Sequence, residues 1–265
     1  MTAAASVGLD GKVVLITGGG HGLGRTLAYR YATAGADVVV VGRATGPLAE
    51  TADGIREAGR RAEWMEADVS RPGDVTRAFE RAVAVFGTVN ILVNNAAITG
   101  PTAEIADIKL DEWNEVLAIN LTGPFLCSKA AIPIMRKAGG GKIVNIGSVT
   151  GKRPLADRTP YASSKLGLVG FTRTLAQEVG KYGINVNLVS PFLVRGPRLD
   201  LVIGRMAARR GVPTDVVRAE MTQQSPFGRG VTEDDVANVV LFLSSSAADN
   251  MTGQDINMSA GAVMY

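Results

Sequence analysis

Tyr161 and Lys165 stand four residues apart in the stretch YASSKLG, a spacing that sets both side chains on one face of a helix, one turn from each other. A free phenol has a pKa of about 10 and is a poor acid or base at neutral pH, but a neighbouring ammonium stabilises the phenolate and lowers that value. The pair could therefore exchange a proton with a bound molecule; it could equally be a core aromatic beside a solvated lysine. Ser148 lies thirteen residues upstream, in GSVTG, and Asn120 sits within the apolar stretch LAINLTGPF. Each has a plain structural account, Ser148 as a cap and Asn120 as a buried amide satisfying backbone at the Pro124 kink.

Other chemistry has little to work with. The 265 residues include one histidine, His21, and one cysteine, Cys127. A Ser-His-Asp triad would have to use His21, and a Cys/His zinc site lacks ligands, so acid-base chemistry falls to Tyr, Lys, Asp or Glu and no metal is expected. One cysteine excludes an internal disulfide, and the N-terminus MTAAASVGLDGKVVLITGGG lacks the charged-then-apolar order of a signal peptide. No run approaches the about 18 apolar residues of a membrane span. The 28 Lys+Arg and 25 Asp+Glu leave a formal charge of only +3, too even for a nucleic-acid surface. The expectation is a soluble, cytoplasmic protein with neither membrane nor nucleic acid as partner.

Short β-branched runs alternate with longer helical patterns, without repeats or low-complexity linkers. VVLIT (13–17), DVVVV (37–41), ILVNN (91–95), KIVNI (142–146) and INVNLV (184–189) suit strands of a parallel sheet buried on both faces. Between them the pattern predicts helices over 22–34, over 71–86 with Ser70 as cap and Pro72 in the first turn, over 110–136 interrupted by Pro124 and Pro133, and over 161–182. Alternating βαβ units imply one α/β domain over 1–265, a doubly wound parallel sheet whose ligands sit at the carboxyl ends of the strands.

Those strand ends carry the remaining signals. TGGGHGLG (17–24) follows the first strand, and its glycines 18, 22 and 24 let the backbone turn sharply and approach a pyrophosphate on the next helix N-terminus. The spacing G-x-x-x-G-x-G matches the dinucleotide fingerprint only loosely, and no Gly-Lys-Ser/Thr follows to make a P-loop. ADV (67–69) could present Asp68 to an adenine amino group, and NNAA (94–97) offers small residues and amides beside a cofactor. Singly, each also reads as a cap or turn.

Taken in order, TGGGHGLG, ADV, NNAA, Asn120, Ser148 and Tyr161-x-x-x-Lys165, with NLVSP (187–191) and the tail GQDINMSAGAVMY (253–265), resemble the short-chain dehydrogenase/reductase family in its classical group. The resemblance covers nearly the whole chain. It implies a Rossmann-type sheet of about seven strands and an NAD(P)-dependent oxidoreductase that interconverts a secondary alcohol and a ketone, usually as a homotetramer in which helices 110–136 and 161–182 pair between subunits. In that reading Tyr161 is the general acid/base, Ser148 hydrogen-bonds the reacting oxygen, Lys165 lowers the tyrosine pKa and holds the nicotinamide ribose, and Asn120 binds a relay water. The implied cofactor-binding set is Thr17, Gly18, His21, Gly22, Leu23, Gly24, Arg43, Asp68, Val69, Asn95, Ala96, Ala97, Pro191 and Val194, with Tyr161 and Lys165. A catalytically silent dinucleotide sensor is the alternative, although a sensor needs the phosphate turn and not the acid.

The end of the second strand, VVVVGRA, has Gly42 where an NAD site usually carries a carboxylate, and Arg43 follows. A cation without that carboxylate suits a 2′-phosphate, so NADP is favoured over NAD. His21 either adds a second contact there or is an exposed loop imidazole. The family commonly has Gly after the proline at Pro191 and Thr four residues later; this chain has Phe192 and Gly196. The substrate lid is expected over about 192–228, where Arg195, Arg198, Arg205, Arg209, Arg210 and Arg218 face only Asp200 and Asp215. An anionic or acyl-carrier-linked substrate would account for them, and so, more plainly, would the solvent face of a lid helix. A polyol or sugar alcohol and a 3-oxoacyl thioester are the substrates the resemblance suggests.

Overall fold

Successive residues of the first strand go to opposite sides of a sheet: Val14 and Ile16 join the buried cluster on one face, Val13 and Leu15 that on the other. A strand buried on both faces has no polar side to alternate with, so its residues read as an unbroken apolar run. The structure is a computed structural model that describes residues 8–265; the part of the signal-peptide and single-domain expectations that falls on residues 1–7 lies outside the described residues. Seven parallel strands form one sheet in the order β3-β2-β1-β4-β5-β6-β7. They are β1 (Val13–Thr17), β2 (Asp37–Gly42), β3 (Ala62–Glu66), β4 (Ile91–Asn94), β5 (Gly141–Ile146), β6 (Ile184–Pro191) and β7 (Asp255–Met258). The order reverses between β1 and β4, where such sheets open a crevice for ligands.

Helices α1 (Gly22–Thr33), α2 (Thr45–Glu57) and α3 (Pro72–Phe86) join the first four strands. The helix expected over 110–136 is two, α4 (Leu110–Leu117) and α5 (Gly123–Lys137), joined by a π-helical turn over Ala118–Thr122. Pro124 has no N–H for the carbonyl four residues back, which is that of Asn120, and the ladder widens there. By length and composition Leu110–Lys137 would cross a membrane, with mean hydropathy 1.3 in its most apolar window, which a search for unbroken apolar runs misses. Here it is a core helix, with Cys127, Ala131 and Met135 packed on the sheet. Burial pushes the Cys127 thiol up to about 12, which leaves it inert as a nucleophile.

The chain continues through α6 (Thr159–Val179), α7 (Pro197–Arg210), α8 (Thr214–Thr222) and α9 (Glu233–Ser244). Ser70 is not the cap of α3: Arg71 holds that position, while Asp68 Oδ1 accepts both the Ser70 N–H (2.9 Å) and the Ser70 hydroxyl (2.6 Å). Asp68 has captured the serine, and Asp74 in the first turn accepts the N–H of Asp68 at 3.0 Å.

Candidate active site

Thr17 ends β1 beneath the glycine-rich turn, and its hydroxyl oxygen accepts the N–H groups of Asn95 and Ala96, both at 3.0 Å. Asn95 Nδ2 donates to Thr17 O at 2.9 Å. The turn is thus tied to the end of β4, and the polar atoms of Thr17, 2% exposed, are committed to that tie. Gly18 has φ +70°, and a Cβ on Gly24 would lie 2.0 Å from the Gly18 carbonyl oxygen. Only a turn stripped of side chains at these points can bring its N–H groups to a phosphate at the start of α1.

A cavity of about 610 Å³ runs from this turn to Tyr161, and a second of about 260 Å³ leads the other way to Arg43, Asp68 and Val69. Gly18, His21, Ala96 and Ala97 line both. The two cavities therefore adjoin at the glycine turn. Leu23, Pro191 and Val194 line the larger cavity beside Gly22 and Gly24. His21 is exposed at the head of α1 and caps nothing with its side chain.

At the inner end of the larger cavity, a turn after β5 and the start of α6 meet. A Cβ on Gly151 would lie 2.8 Å from the Leu166 N, so the glycine lets the turn that follows Ser148 press against the helix bearing Tyr161 and Lys165. Ser148 Oγ accepts the Thr150 N–H at 3.2 Å, which occupies an acceptor and leaves its proton for another oxygen. Lys165 is 3% exposed and donates to Ile146 O at 2.7 Å. Its ammonium lies 5.8 Å from the centre of the Tyr161 ring. Burial, with Arg198 adding to it and Tyr161 opposing, brings Lys165 down to about 8. Burial alone would raise the Tyr161 phenol, but the charges of Lys165 and Arg198, a hydrogen bond with Ser148 and the charge of Arg158 outweigh it, and its pKa falls below the ordinary value.

Asn120 is held by three bonds. Its Oδ1 accepts the Ile98 N–H (2.9 Å), and its Nδ2 donates to Ile98 O (3.0 Å) and to Ser164 Oγ (3.1 Å). Ser164 in turn donates to Tyr161 O at 2.8 Å, so the π turn is fastened to the first turns of α6. The side-chain amide is therefore occupied, but by Ile98 and Ser164 rather than by backbone at the Pro124 kink.

Comparison with known proteins decides the family. The family model described as short chain dehydrogenase matches residues 12–200. The chain belongs to that family. This short-chain dehydrogenase is 35% identical over 254 residues to a cis-4-hydroxycyclohexanecarboxylate dehydrogenase of Sinomonas cyclohexanicum, covering 94% of this chain and 96% of the relative. It superposes on NAD+-bound xylitol dehydrogenase with TM-score 0.92 and 29% identity, covering 96% and 99% of the two chains. For a single-residue variant of actinorhodin polyketide ketoreductase with NADPH the values are 0.91 and 34%, over 96% and 98%. The protein is accordingly an NAD(P)-dependent dehydrogenase/reductase acting on CH–OH and C=O groups.

Sequence reasoning missed one residue of this short-chain dehydrogenase's site, Arg158. It precedes α6, is 3% exposed, lines the larger cavity, and holds its guanidinium 4.8 Å above the Tyr161 ring. An arginine three residues before the tyrosine was the only available signal. The lid arginines divide. Arg209 pairs with Glu104 and Asp157, Arg210 with Glu220, and Arg218 with Asp200, whereas Arg198 lines the cavity.

Proposed function

We propose that this enzyme interconverts a secondary alcohol and a ketone with Tyr161 as the proton donor and acceptor. The observation that carries the reading is the Tyr161 phenol, lowered by the buried Lys165 ammonium and hydrogen-bonded by the Ser148 hydroxyl. The fit of the glycine turn and the two joined cavities supports a bound nicotinamide dinucleotide, which supplies hydride to the carbonyl carbon or takes it from the carbinol. In reduction the phenol gives its proton to the carbonyl oxygen and Ser148 donates a hydrogen bond to the same oxygen, so charge developing there meets two donors. Lys165 supports the phenolate left behind. It has donors beyond the one given to Ile146 O, which suits a ribose hydroxyl as well. Asn120 can hold a water through which Lys165 and Tyr161 regain a proton. In oxidation each transfer reverses.

NADP is favoured as cofactor. Gly42 offers no carboxylate, and Arg43 stands exposed at the mouth of the smaller cavity. Its charge acts on Asp68, whose pKa is lowered because the Ser70 hydrogen bonds, Arg43 and Arg71 together outweigh burial. The cofactor contacts assigned above and a lid over about 192–228 belong to the same reading, as do the polyol and 3-oxoacyl thioester candidates. So does a cytoplasmic homotetramer that acts on a small molecule without nucleic acid or membrane as partner. Phe125 and Leu166 are exposed on α5 and α6, and a Cβ on Gly170 would meet nothing, which suits pairing of these helices between subunits, although Gly167 already packs on Leu121 of its own chain. Sedimentation at micromolar concentration is expected to give a tetramer, and a monomer would refute that part. The reading as a whole is tested by following reduced-nicotinamide absorbance with a panel of ketones and secondary alcohols and both cofactors. Turnover with NADP(H) exceeding that with NAD(H) is expected; no turnover of any member would contradict the reaction, and preference for NADH would contradict the cofactor.

A further inference from the structure

The substrate end of the larger cavity is charged in one sense only. Three cations, Arg158, Lys165 and Arg198, surround Tyr161. Among the described residues lining that cavity the one acid is Glu233, held against Thr26 at 2.5 Å beside Gly22, at the phosphate end. Lys165 has its place in the mechanism; Arg158 adds only the smallest of the charges that lower Tyr161. No carboxylate among the described residues pairs with Arg158, and its guanidinium has a single hydrogen bond, to Thr102 Oγ1 at 3.3 Å. Burying a guanidinium without a carboxylate is costly. Burial and the like charges of Arg198 and Arg205 push its pKa below arginine's usual value, against the pull of Tyr161. The Tyr161 ring 4.8 Å away offsets part of that cost, and a ligand carboxylate would offset the rest.

We propose, building on the alcohol/ketone reading above, that the substrate carries a carboxylate on the same small molecule as its reacting carbon, and that Arg158, assisted by Arg198, receives it. The planar fork of an arginine matches a carboxylate in two parallel hydrogen bonds. Because Arg158 lies over the Tyr161 ring, the carboxylate sits only a few bonds from the carbon that exchanges hydride. A phosphate on a long carrier arm outside the cavity would not reach a side chain this deeply placed. Leu155, Leu199, Val202 and Met221 are among the residues lining the cavity, and these walls suit a hydrocarbon frame. The cationic arginines then select the substrate, while Lys165 and Tyr161 transform it.

The test is calorimetric titration of the protein saturated with oxidised cofactor, at fixed ionic strength, with cyclohexanecarboxylate and with cyclohexanecarboxamide. The acid is expected to bind about tenfold or more tightly than the amide. Arg158→Leu should bring that ratio to near one, Arg158→Lys should keep part of it, and Arg198→Ala should reduce it. Arg210→Ala, whose partner Glu220 lies on the lid surface, should leave it unchanged. Equal affinity for acid and amide, or no binding of the acid, would overturn the proposal, as would a folded Arg158→Leu protein that keeps the wild-type ratio. Should Arg158→Leu not fold, the wild-type, Arg158→Lys and Arg198→Ala ratios decide. Turnover of 4-oxocyclohexanecarboxylate and its amide, run in parallel, separates the two readings: absence of turnover for both counts against hydride transfer, while the binding ratio reports on Arg158 alone.

Discussion

Leu15 in β1 and Ile203 in α7 are each 1% exposed, yet they are buried in different senses. Leu15 belongs to a layer that runs under β1, β2, β4, β5 and β6 and is closed by α3, α5 and α6. Ile203 is packed with Ala207, Val217 and Met221 between α7 and α8, with partly buried Leu193, Leu199, Met206 and Val212 around them. The two ends of the cavity inherit this difference. At the glycine turn side chains are placed by strand ends, and Tyr161 by the start of α6, whose Leu175, Ala176 and Val179 are packed on the sheet. At the lid, Arg198 and Leu199 ride on α7, whose core is small enough to open by itself. On the proposed reading, proton transfer is thus fixed by the main body. The wall that would meet the substrate rides on a smaller cluster, fastened to that body by Arg205 to Gly100 O and by Arg209 to Glu104 and Asp157.

The largest effect expected from breaking this comparison is at Lys165. Lys165→Met removes the charge that does most to lower Tyr161, and alcohol oxidation at neutral pH should fall by about 10²–10⁴-fold. The sign of the pH dependence follows: oxidation needs the phenolate, so it rises as pH passes the lowered Tyr161 pKa, and reduction needs the phenol, so it declines there. Without Lys165 both limbs should move to higher pH, by about 1–3 pH units. Unmoved profiles would mean that Lys165 only binds.

Next in size, Leu15→Ala should destabilise the whole fold by about 2–5 kcal/mol in denaturant unfolding. Ile203→Ala, equally buried, should leave that transition nearly in place and instead speed amide exchange and proteolysis within 197–222. Equal loss of global stability from both would show that lid and sheet unfold together. Smaller still, Arg43→Ala should weaken NADPH by about 10- to 100-fold with NADH little changed, as loss of one charge-assisted hydrogen bond requires. Gly42→Asp should do more, since a Cβ there meets Leu48 at 3.6 Å and Gly18 Cα at 3.9 Å, both ordinary contacts, and the carboxylate both repels a 2′-phosphate and accepts from a ribose hydroxyl. Equal weakening of both cofactors would place Arg43 elsewhere.

The same division explains what could be read from the sequence. Five strands were legible because burial on both faces leaves four- to six-residue apolar runs such as VVLIT and DVVVV, and the glycine turn and Ser148 follow the ends those runs disclose. β3 (AEWME) and β7 (DINM) carry no such run, and Tyr161 was legible instead from its helical spacing to Lys165. Boundaries were less so: β6 continues to Pro191 because Ser190 and Pro191 pair with Asn257 and Met258 of the tail, a partner more than sixty residues away. The π turn was visible only as Pro124, and Ser70 was misjudged because its capture by Asp68 is a contest between two local hydrogen bonds. Arg158 was not legible at all, since its meaning lies in the absence of a carboxylate in three dimensions. The lid arginines gave one undivided signal in sequence, and only the pairing of Arg209, Arg210 and Arg218 with acids separates them from Arg198.

The central claim is that Tyr161 moves the proton, and Tyr161→Phe tests it most directly, because the ring and its packing under Arg158 remain while the proton is deleted. With a ketone that the wild type reduces, the single-turnover rate should fall by about 10²–10⁴-fold while the affinity for reduced cofactor, measured separately by fluorescence titration, changes little. A Tyr161→Phe protein that turns over at nearly the wild-type rate would contradict the account.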